Sequence, residues 1–441
     1  MVNCATDLGK HDRASLQVLD LSEALRPSCQ SPHRLRYPLN LLSKGTRMLQ
    51  QIDEPRAATK FHPVWGLGFR AGFLCAGLFA VAGMAHWLWW MQSPETWDYR
   101  IYPSWWHGHE MIFGFALPVV AGFLLSAVAT WTGIAGTSGR TLQLLFGLWL
   151  TARFVLWLLP AQATLAWLAE MGFITLLTWE LTRRVWAVRQ WRNLLFPPVL
   201  LALALLSSLS YQSMDDLNLA RQTHYGAIWM VTLLIVIIGG RVTPLFTGNR
   251  LGLKIPPLPL WFESTVIALT AGIGLLAVLA PGSAVLPPLY ITASVLHGVR
   301  LARWQGWKTL RVPLLWSMHL SYLCIPLALL GLALANGDPA AEKNVIHLLG
   351  VGAIGGMIIA MMARVSLGHT GRPLDVPGYL SAAFALVLLA ALIRALVPLW
   401  DPALSMLAWR TSGVLWVAAF ALWLLRYLPI LTRPRVDGKP G

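Results

Sequence analysis

The sequence predicts an all-α membrane protein that crosses the bilayer twelve times. Of its 441 residues, 56% are hydrophobic and only 12% are charged, whereas a soluble domain carries about 25% charged residues. The apolar residues come in repeated blocks of about twenty, which is the length that an α-helix needs to cross a membrane. The chain contains 23 tryptophans, many of them near block ends, as is typical of the membrane–water interface. Membrane lipid is therefore the expected environment.

Each apolar block defines one predicted span. The spans are 66–90, 108–130, 141–160, 162–182, 194–211, 223–245, 259–280, 284–303, 312–335, 345–367, 378–399 and 407–430. Together they form a predicted membrane domain at 61–432. Residues 1–60 are polar and basic and lack the apolar segment of a secretory signal, which favours a disordered cytoplasmic tail. Met48 also opens a sensible shorter protein, which makes 1–47 a candidate for an over-extended start. Residues 433–441 are expected to form a second cytoplasmic tail.

The loop charges predict the orientation of the chain. If the N-terminus is inside, the loops predicted outside contain Arg100, Arg221, Lys343 and little else that is basic. The inner loops contain clusters of basic residues, for example at 183–192 and 300–311. This alternation follows the positive-inside rule and places both termini in the cytoplasm. The net charge of +15 is then loop charge, and nucleic acid is not an expected partner.

Three of the spans repeat one spacing. His109, His224 and His347 lie near the starts of spans 2, 6 and 10, and each is followed 23 residues later by a Thr-Gly pair. Because the three spans are four apart, they run parallel, which indicates a chain of three four-helix units. At 1.5 Å per residue, this interval spans roughly 35 Å, about the whole bilayer. Each of these helices therefore carries a histidine near its outer end.

Two more histidines share this outer level, His86 at the end of span 1 and His107 at the start of span 2. Neutral imidazole is the commonest metal ligand and the usual axial ligand of haem. The candidate haem-binding histidines are therefore His86, His107, His109, His224 and His347. All of them except His86 are also candidate ligands of a metal ion. Residues two apart on a regular helix point about 200° apart, so His107 and His109 are not expected to bind one ion together. The alternative for each histidine is an interfacial hydrogen-bonding role.

Buried charges give a second signal, because they are costly in lipid and need partners. Arg153 and Glu170 lie at equal depth on consecutive spans and are predicted to pair. Arg394, near the outer end of span 11, is a candidate to bind haem propionates, since arginine binds carboxylates bidentately. Glu110 is expected to orient a neighbouring histidine, as carboxylates do for ligating histidines.

Four motifs resemble those of the NnrS family: "GLGFR" at 66–70, "WHGHEMIFGF" at 106–115, "GGRVTPLFTGN" at 239–249 and "HLLGVGAIGGMIIAMMARVSLGHTGRPL" at 347–374. The resemblance runs from about residue 62 to the C-terminus. It implies a twelve-span protein of the bacterial inner membrane that contains haem, expected to be of b type, and copper. It also implies nitric oxide as a ligand, with a role in denitrification or in relief of nitrosative stress. It names no protein partner and no settled reaction.

The three four-helix units also resemble the core of haem-copper oxidases, whose ligand histidines lie on spans 2, 6, 7 and 10. Here the two-histidine motif lies on span 2 rather than span 10, and span 7 has no histidine. An oxidase-type copper site therefore cannot be assembled, which argues against oxygen reduction and proton pumping. Three functions stay open: a redox protein that captures or converts nitric oxide, a haem-binding sensor or assembly factor without turnover, and a carrier without redox chemistry.

Overall fold

The computed structural model describes residues 61–97 and 101–439, and this part of the chain forms twelve long helices where the twelve spans are predicted. They are α1 Gly68–Trp90, α2 Pro103–Thr132, α3 Arg140–Leu158, α4 Ala163–Ala187, α5 Phe196–Gln212, α6 Leu217–Leu251, α7 Leu260–Leu279, α8 Leu286–Arg303, α9 Pro313–Ala335, α10 Pro339–His369, α11 Gly378–Trp400 and α12 Ser405–Thr432. These ranges contain no β-strand, which confirms the all-α prediction. The predicted tail at 1–60, with its candidate over-extended start at 1–47, lies outside the described residues.

Ten of the twelve helices are long and apolar enough to cross a membrane. The other two, α4 and α8, have 25 and 18 residues but are more polar. Helix α4 contains Glu170 and Glu180, and α8 ends in Arg300 and Arg303. The prediction of a polytopic membrane protein is thus confirmed, and ten of its twelve spans meet the criteria of length and composition within the described residues.

The packing of the helices brings the three repeated histidine helices together. Consecutive helices pack on each other, and α1 also packs against α12. Helix α10 is enclosed by α9 and α11, whereas α6 contacts both α2 and α10. The histidine-bearing ends of α2, α6 and α10 therefore meet around α6.

Small residues let α1 and α2 approach closely. Gly68 and Gly72 are one turn apart on α1, and both lie against Gly122 of α2. A Cβ atom at Gly72 would lie 2.5 Å from the carbonyl oxygen of Pro118 and 2.9 Å from the Cα of Gly122. Gly-xxx-Gly spacing is a common helix contact in membranes. Because lipid removes the hydrophobic drive to associate, helices depend on close packing, which small residues allow. The contact fixes α2 against α1 below the histidine level.

Two helices widen directly after their repeated histidine. In α2 a π-helical segment, Glu110–Ala116, follows His109, and in α10 a second one, Leu348–Gly355, follows His347. Helix α6 stays α-helical through His224. Segments of π-helix are rare and are frequent at functional sites. The two distortions therefore indicate a functional site at the histidine-bearing ends of α2 and α10.

Candidate functional site

A large cavity lies among the helix ends that carry the repeated histidines. It has a volume of about 1010 Å³ and is bordered by α1, α2, α6, α10, α11 and α12. This volume is at the upper end of the range of about 300–1,000 Å³ that is typical of ligand and cofactor sites. Most of the wall is apolar and aromatic, with Trp87, Trp90, Trp105, Trp409 and Trp416 among the lining residues. The cavity therefore suits a large, flat and largely apolar molecule.

Three of the five candidate histidines line this cavity, and each comes from a different helix. They are His107 of α2, His224 of α6 and His347 of α10. The other two, His86 and His109, are not lining residues. The fold thus separates the five residues into a group of three at one cavity and two that lie elsewhere.

His347 has the hydrogen-bonding pattern of a metal-ligating histidine. Its Nδ1 lies 2.9 Å from the backbone carbonyl oxygen of Lys343 and must donate, because a carbonyl only accepts. The proton therefore sits on Nδ1, and Nε2 keeps its lone pair with no hydrogen bond from the described chain. Ligating histidines usually donate their other N–H to a carbonyl or a carboxylate in this way. Beside it, Gly350 also lines the cavity, and a Cβ there would meet nothing within 4 Å.

His107 and His224 present further imidazole nitrogens at the cavity. His107 stacks on Trp87 with ring centroids 4.3 Å apart. Its buried Nδ1 has no hydrogen-bond partner in the described part of the chain, which is uncommon for a buried polar atom and points to a missing partner. His224 is held by Ser210, whose Oγ lies 2.8 Å from the Nε2 of the histidine. His107 is therefore available as a second ligand, whereas His224, whose Nε2 is held by Ser210, is a polar group beside a bound molecule.

Gly108, between the two histidines of "WHGHE", makes room for His224. A Cβ atom at Gly108 would lie 2.4 Å from Nδ1 of His224. We expect Gly108→Ala to displace that ring and to lower the free energy of unfolding by about 1 kcal/mol, as overpacking does. Unfolding in mixed micelles measures this, with Gly147→Ala as the control because a Cβ there would meet nothing within 4 Å. Equal stability of the two variants would show that His224 does not depend on this glycine.

His109 turns away from the cavity into a buried charge cluster. Its Nδ1 lies 3.1 Å from Oε1 of Glu110, and its Nε2 lies 3.3 Å from Oε1 of Glu170. The side chain is fully buried. Because His107 and His109 are two residues apart on α2, one ring reaches the cavity and the other reaches this cluster. Both nitrogens of His109 face carboxylates, so the arrangement suits an imidazolium ion rather than a ligand with a free lone pair.

Arg153 and Glu170 form a buried ion pair within the same cluster. The Nε of Arg153 also lies 3.4 Å from Oε2 of Glu110, and Ser207 donates a hydrogen bond to Glu170. With His109 protonated, two positive charges balance two negative ones. A buried set of charges is tolerated only with compensating partners. Glu110 thus contacts a histidine, as expected of an orienting carboxylate, but that histidine lies outside the cavity.

Arg394 of α11 lines the cavity together with two further cations, Lys343 and Arg221. Its Nη1 donates a hydrogen bond of 2.6 Å to Oδ1 of Asn344. The guanidinium lies 4.9 Å from the ring centroid of Trp409, and the Lys343 ammonium lies 4.6 Å from the same ring. Among the described residues, Arg394 forms no ion pair with a carboxylate. This basic part of the wall can attract an anionic group of a bound molecule.

His86 lies in an aromatic cluster on the other side of α1. Its ring centroid is 5.0 Å from those of Trp106 and Trp157 and 5.3 Å from that of Trp97. The residue is not part of the cavity lined by His107, His224 and His347. The structure therefore does not bring His86 together with His107, and the cluster serves as packing at the end of α1.

A second buried polar cluster joins α7, α8 and α9. His297 lies 2.8 Å from the hydroxyl of Tyr322 and 3.1 Å from that of Thr270. Arg300 donates a hydrogen bond of 2.9 Å to Tyr322 and pairs with Glu263. No cavity-lining residue belongs to this cluster. Its contacts hold three helices together, so His297 has a structural role.

Lys343 is a site residue that the histidine and charge patterns do not single out. It supplies the carbonyl that orients His347 and an ammonium group at the cavity. The signal for it is its position, four residues before His347 on one face of α10. A charged residue one helical turn before a candidate ligand is the pattern that indicates it.

The residues at the cavity fit haem better than a bare metal ion. Within the described ranges, no group of three or more His, Cys, Asp or Glu side chains is placed to hold a metal ion. Haem needs only axial protein ligands, because the porphyrin supplies the remaining ones. His347 offers an oriented imidazole, the walls are apolar, and the basic side chains suit propionates.

One protein-family model matches the chain over the whole described helix bundle. The family model described as NnrS protein matches residues 63–435. This range begins before α1 and ends after α12, so it contains every helix and every cavity-lining residue named above. No curated protein and no solved structure matches the chain.

Proposed function

The chain belongs to the NnrS family, and from this premise we propose that it binds haem in the histidine-lined cavity and handles nitric oxide there. One observation carries the haem proposal: His347 combines an Nδ1 that donates to a backbone carbonyl with a free Nε2 on the wall of a 1010 Å³ cavity. The nitric oxide part rests on the family resemblance. Nitric oxide is small and uncharged, so it can reach such a cavity from the bilayer.

In this proposal, different side chains at the cavity bind different parts of haem. His347 would hold the iron through its Nε2, and His107 or His224 would contact the bound haem as a second group. Arg394 and Lys343 are assigned to the propionates. The bound iron would supply the centre to which nitric oxide coordinates, while the tryptophan-rich walls exclude water. The resemblance also implies copper. We assign no copper site, because no group of three or more His, Cys, Asp or Glu side chains in the described ranges is placed to hold a metal ion.

We further propose that the protein lies in the bacterial inner membrane with both termini in the cytoplasm. Ten helices able to cross a membrane support the membrane location, and the distribution of basic loops supports the orientation. The cavity would then open near the periplasmic face, since the repeated histidines lie at the outer helix ends.

We expect the protein, purified in detergent after expression with sufficient haem, to show a strong Soret band that shifts when nitric oxide is added. His347→Ala should lose most of that band, because it removes the oriented imidazole. The visible absorption spectrum per mole of protein measures this. Consumption of nitric oxide by the reduced protein then distinguishes turnover from sensing.

The matched control for this experiment is His86→Ala. His86 lies at the same membrane level but in the aromatic cluster, so this variant should keep the spectrum of the unchanged protein. If the unchanged protein shows no Soret band, or if His347→Ala retains the full band, the proposed site is wrong.

A further inference from the structure

A second, smaller cavity lies deeper in the bundle, between α1, α2, α6 and α10. Its volume is about 70 Å³. The lining residues share one property, the lack of any polar side chain. They are Phe73, Val119, Val120, Phe123, Leu124, Val231, Leu234, Ile235, Ile238, Gly239, Val242, Met357, Ile358 and Met361. Water has no hydrogen-bonding partner in such a space, and apolar cavities stay dry.

The three repeated helices place this lower cavity at one depth. Val119, Leu234 and Met357 line it, and each lies ten residues after the repeated histidine of its own helix. Ten residues of helix extend about 15 Å, which is half of the hydrocarbon core of about 30 Å. The lower cavity therefore lies near the middle of the bilayer.

The size of the lower cavity restricts what it can hold. An apolar cavity of about 150 Å³ in another protein accepts benzene or xenon, whereas this one has about 70 Å³. Haem, a quinone ring and a lipid chain are all too large for this space. Charged and strongly polar molecules are excluded because the lining offers no hydrogen bond or counter-charge. The occupant that remains is a small uncharged gas.

The lower cavity adjoins both the histidine cavity and the bundle surface. Val231 lines both cavities, so the two spaces meet at this side chain, two helical turns below His224. On the other side Val120, Phe123, Ile238 and Val242 are only half-buried. This side faces outward between α2 and α6, where lipid surrounds the bundle.

We propose that the lower cavity is a docking site for a small uncharged gas, which enters from the bilayer between α2 and α6 and passes Val231 into the histidine cavity. Such a gas is concentrated in the apolar core of a membrane, so a midplane opening samples a richer source than an opening to water. The destination of the gas rests on the proposed function. The docking itself depends on the apolar lining and the volume alone.

Xenon tests the docking without any use of haem, because it is apolar and binds dry apolar cavities. We expect xenon bound among Val119, Leu234 and Met357 in crystals of the protein pressurised with the gas. Gly239→Val should abolish that site by filling it, since a Cβ at Gly239 would meet Ile235 at 3.8 Å and Met357 at 3.9 Å without a clash. Gly239→Ala, with one added methyl, is the milder variant if the valine prevents folding.

Gly272→Val is the matched control, because Gly272 lies on α7 and a Cβ there would meet nothing within 4 Å. It should keep the xenon site. Absence of xenon from the unchanged protein would overturn the proposal even if haem and nitric oxide bind as expected. If xenon binds at this site but the protein shows no Soret band when haem is supplied, docking is supported and the proposed function alone is contradicted.

The route is tested by the rate at which nitric oxide associates with the haem-loaded protein, followed by the Soret shift after rapid mixing. Gly239→Val should slow this association several-fold while leaving the spectrum before mixing unchanged, and Gly272→Val should leave the rate unchanged. An association rate that is the same in Gly239→Val and in the unchanged protein would overturn the route past Val231.

Discussion

Replacing Arg153 by methionine should lower the free energy of unfolding by about 3–5 kcal/mol, as the loss of one partner from a buried ion pair does. The variant leaves Glu110 and Glu170 buried in one cluster, with His109 as the remaining cation. Both carboxylates are nearly fully buried, so water cannot replace the guanidinium. Unfolding in mixed micelles, compared with the unchanged protein, measures the loss.

A double-mutant cycle identifies the pair as the cause. Glu170→Gln removes one negative charge. The double variant should therefore lose much less free energy of unfolding than the sum of the losses in the two single variants. Arg250 and Asp375 provide a matched exposed pair, with an N–O distance of 2.8 Å, and Arg250→Met should cost at most about 1 kcal/mol. Additive losses in the buried pair would mean that Arg153 and Glu170 do not interact.

The second large effect is expected at the contact between α1 and α2. Gly72→Val should lower the free energy of unfolding by about 3 kcal/mol, because overpacking a close contact forces the backbone to move. The atoms that a Cβ would meet are the carbonyl oxygen of Pro118 and the Cα of Gly122. Both belong to the backbone and cannot rotate away, so the two helices must separate.

Gly147→Val is the matched control for this prediction, since a Cβ at Gly147 on α3 would meet nothing within 4 Å. Both variants exchange a helical glycine for the same residue, so the difference between them isolates the helix contact. The same unfolding measurement serves both. If Gly72→Val is as stable as Gly147→Val, α1 and α2 do not pack as closely as described.

Helix positions are the part of the fold that the sequence predicts best, because block length and lipid thickness are directly linked. The ends are predicted less well. Helix α6 is predicted at 223–245 and extends over Leu217–Leu251, and α10 is predicted at 345–367 and extends over Pro339–His369. The added turns are polar, so hydropathy does not detect them, although Asp216 and Asp338 cap both helices at their starts.

The repeated spacing also predicts the membrane level of the histidines, because depth depends on residue number along a helix. Which way each ring faces depends on rotation about the helix axis, and that is set by neighbours. His109 faces the charge cluster because Glu170 of α4 lies there. His86 faces tryptophans of α2 and α3. Membrane level alone therefore proposes five candidates, and packing places three of them at one cavity.

The two π-helical segments are the places where α2 and α10 can lose one residue without turning their ends. A π-helical turn holds one residue more than an α-helical turn, so deleting one residue from Glu110–Ala116 would restore regular α-helical pairing. His107 would stay on the cavity wall, and Gly122 would keep its packing. The same reasoning applies to Leu348–Gly355 and His347. A one-residue deletion in the regular part of either helix would instead rotate the histidine-bearing turns by about 100° against the rest of the helix and move the histidine off the cavity wall.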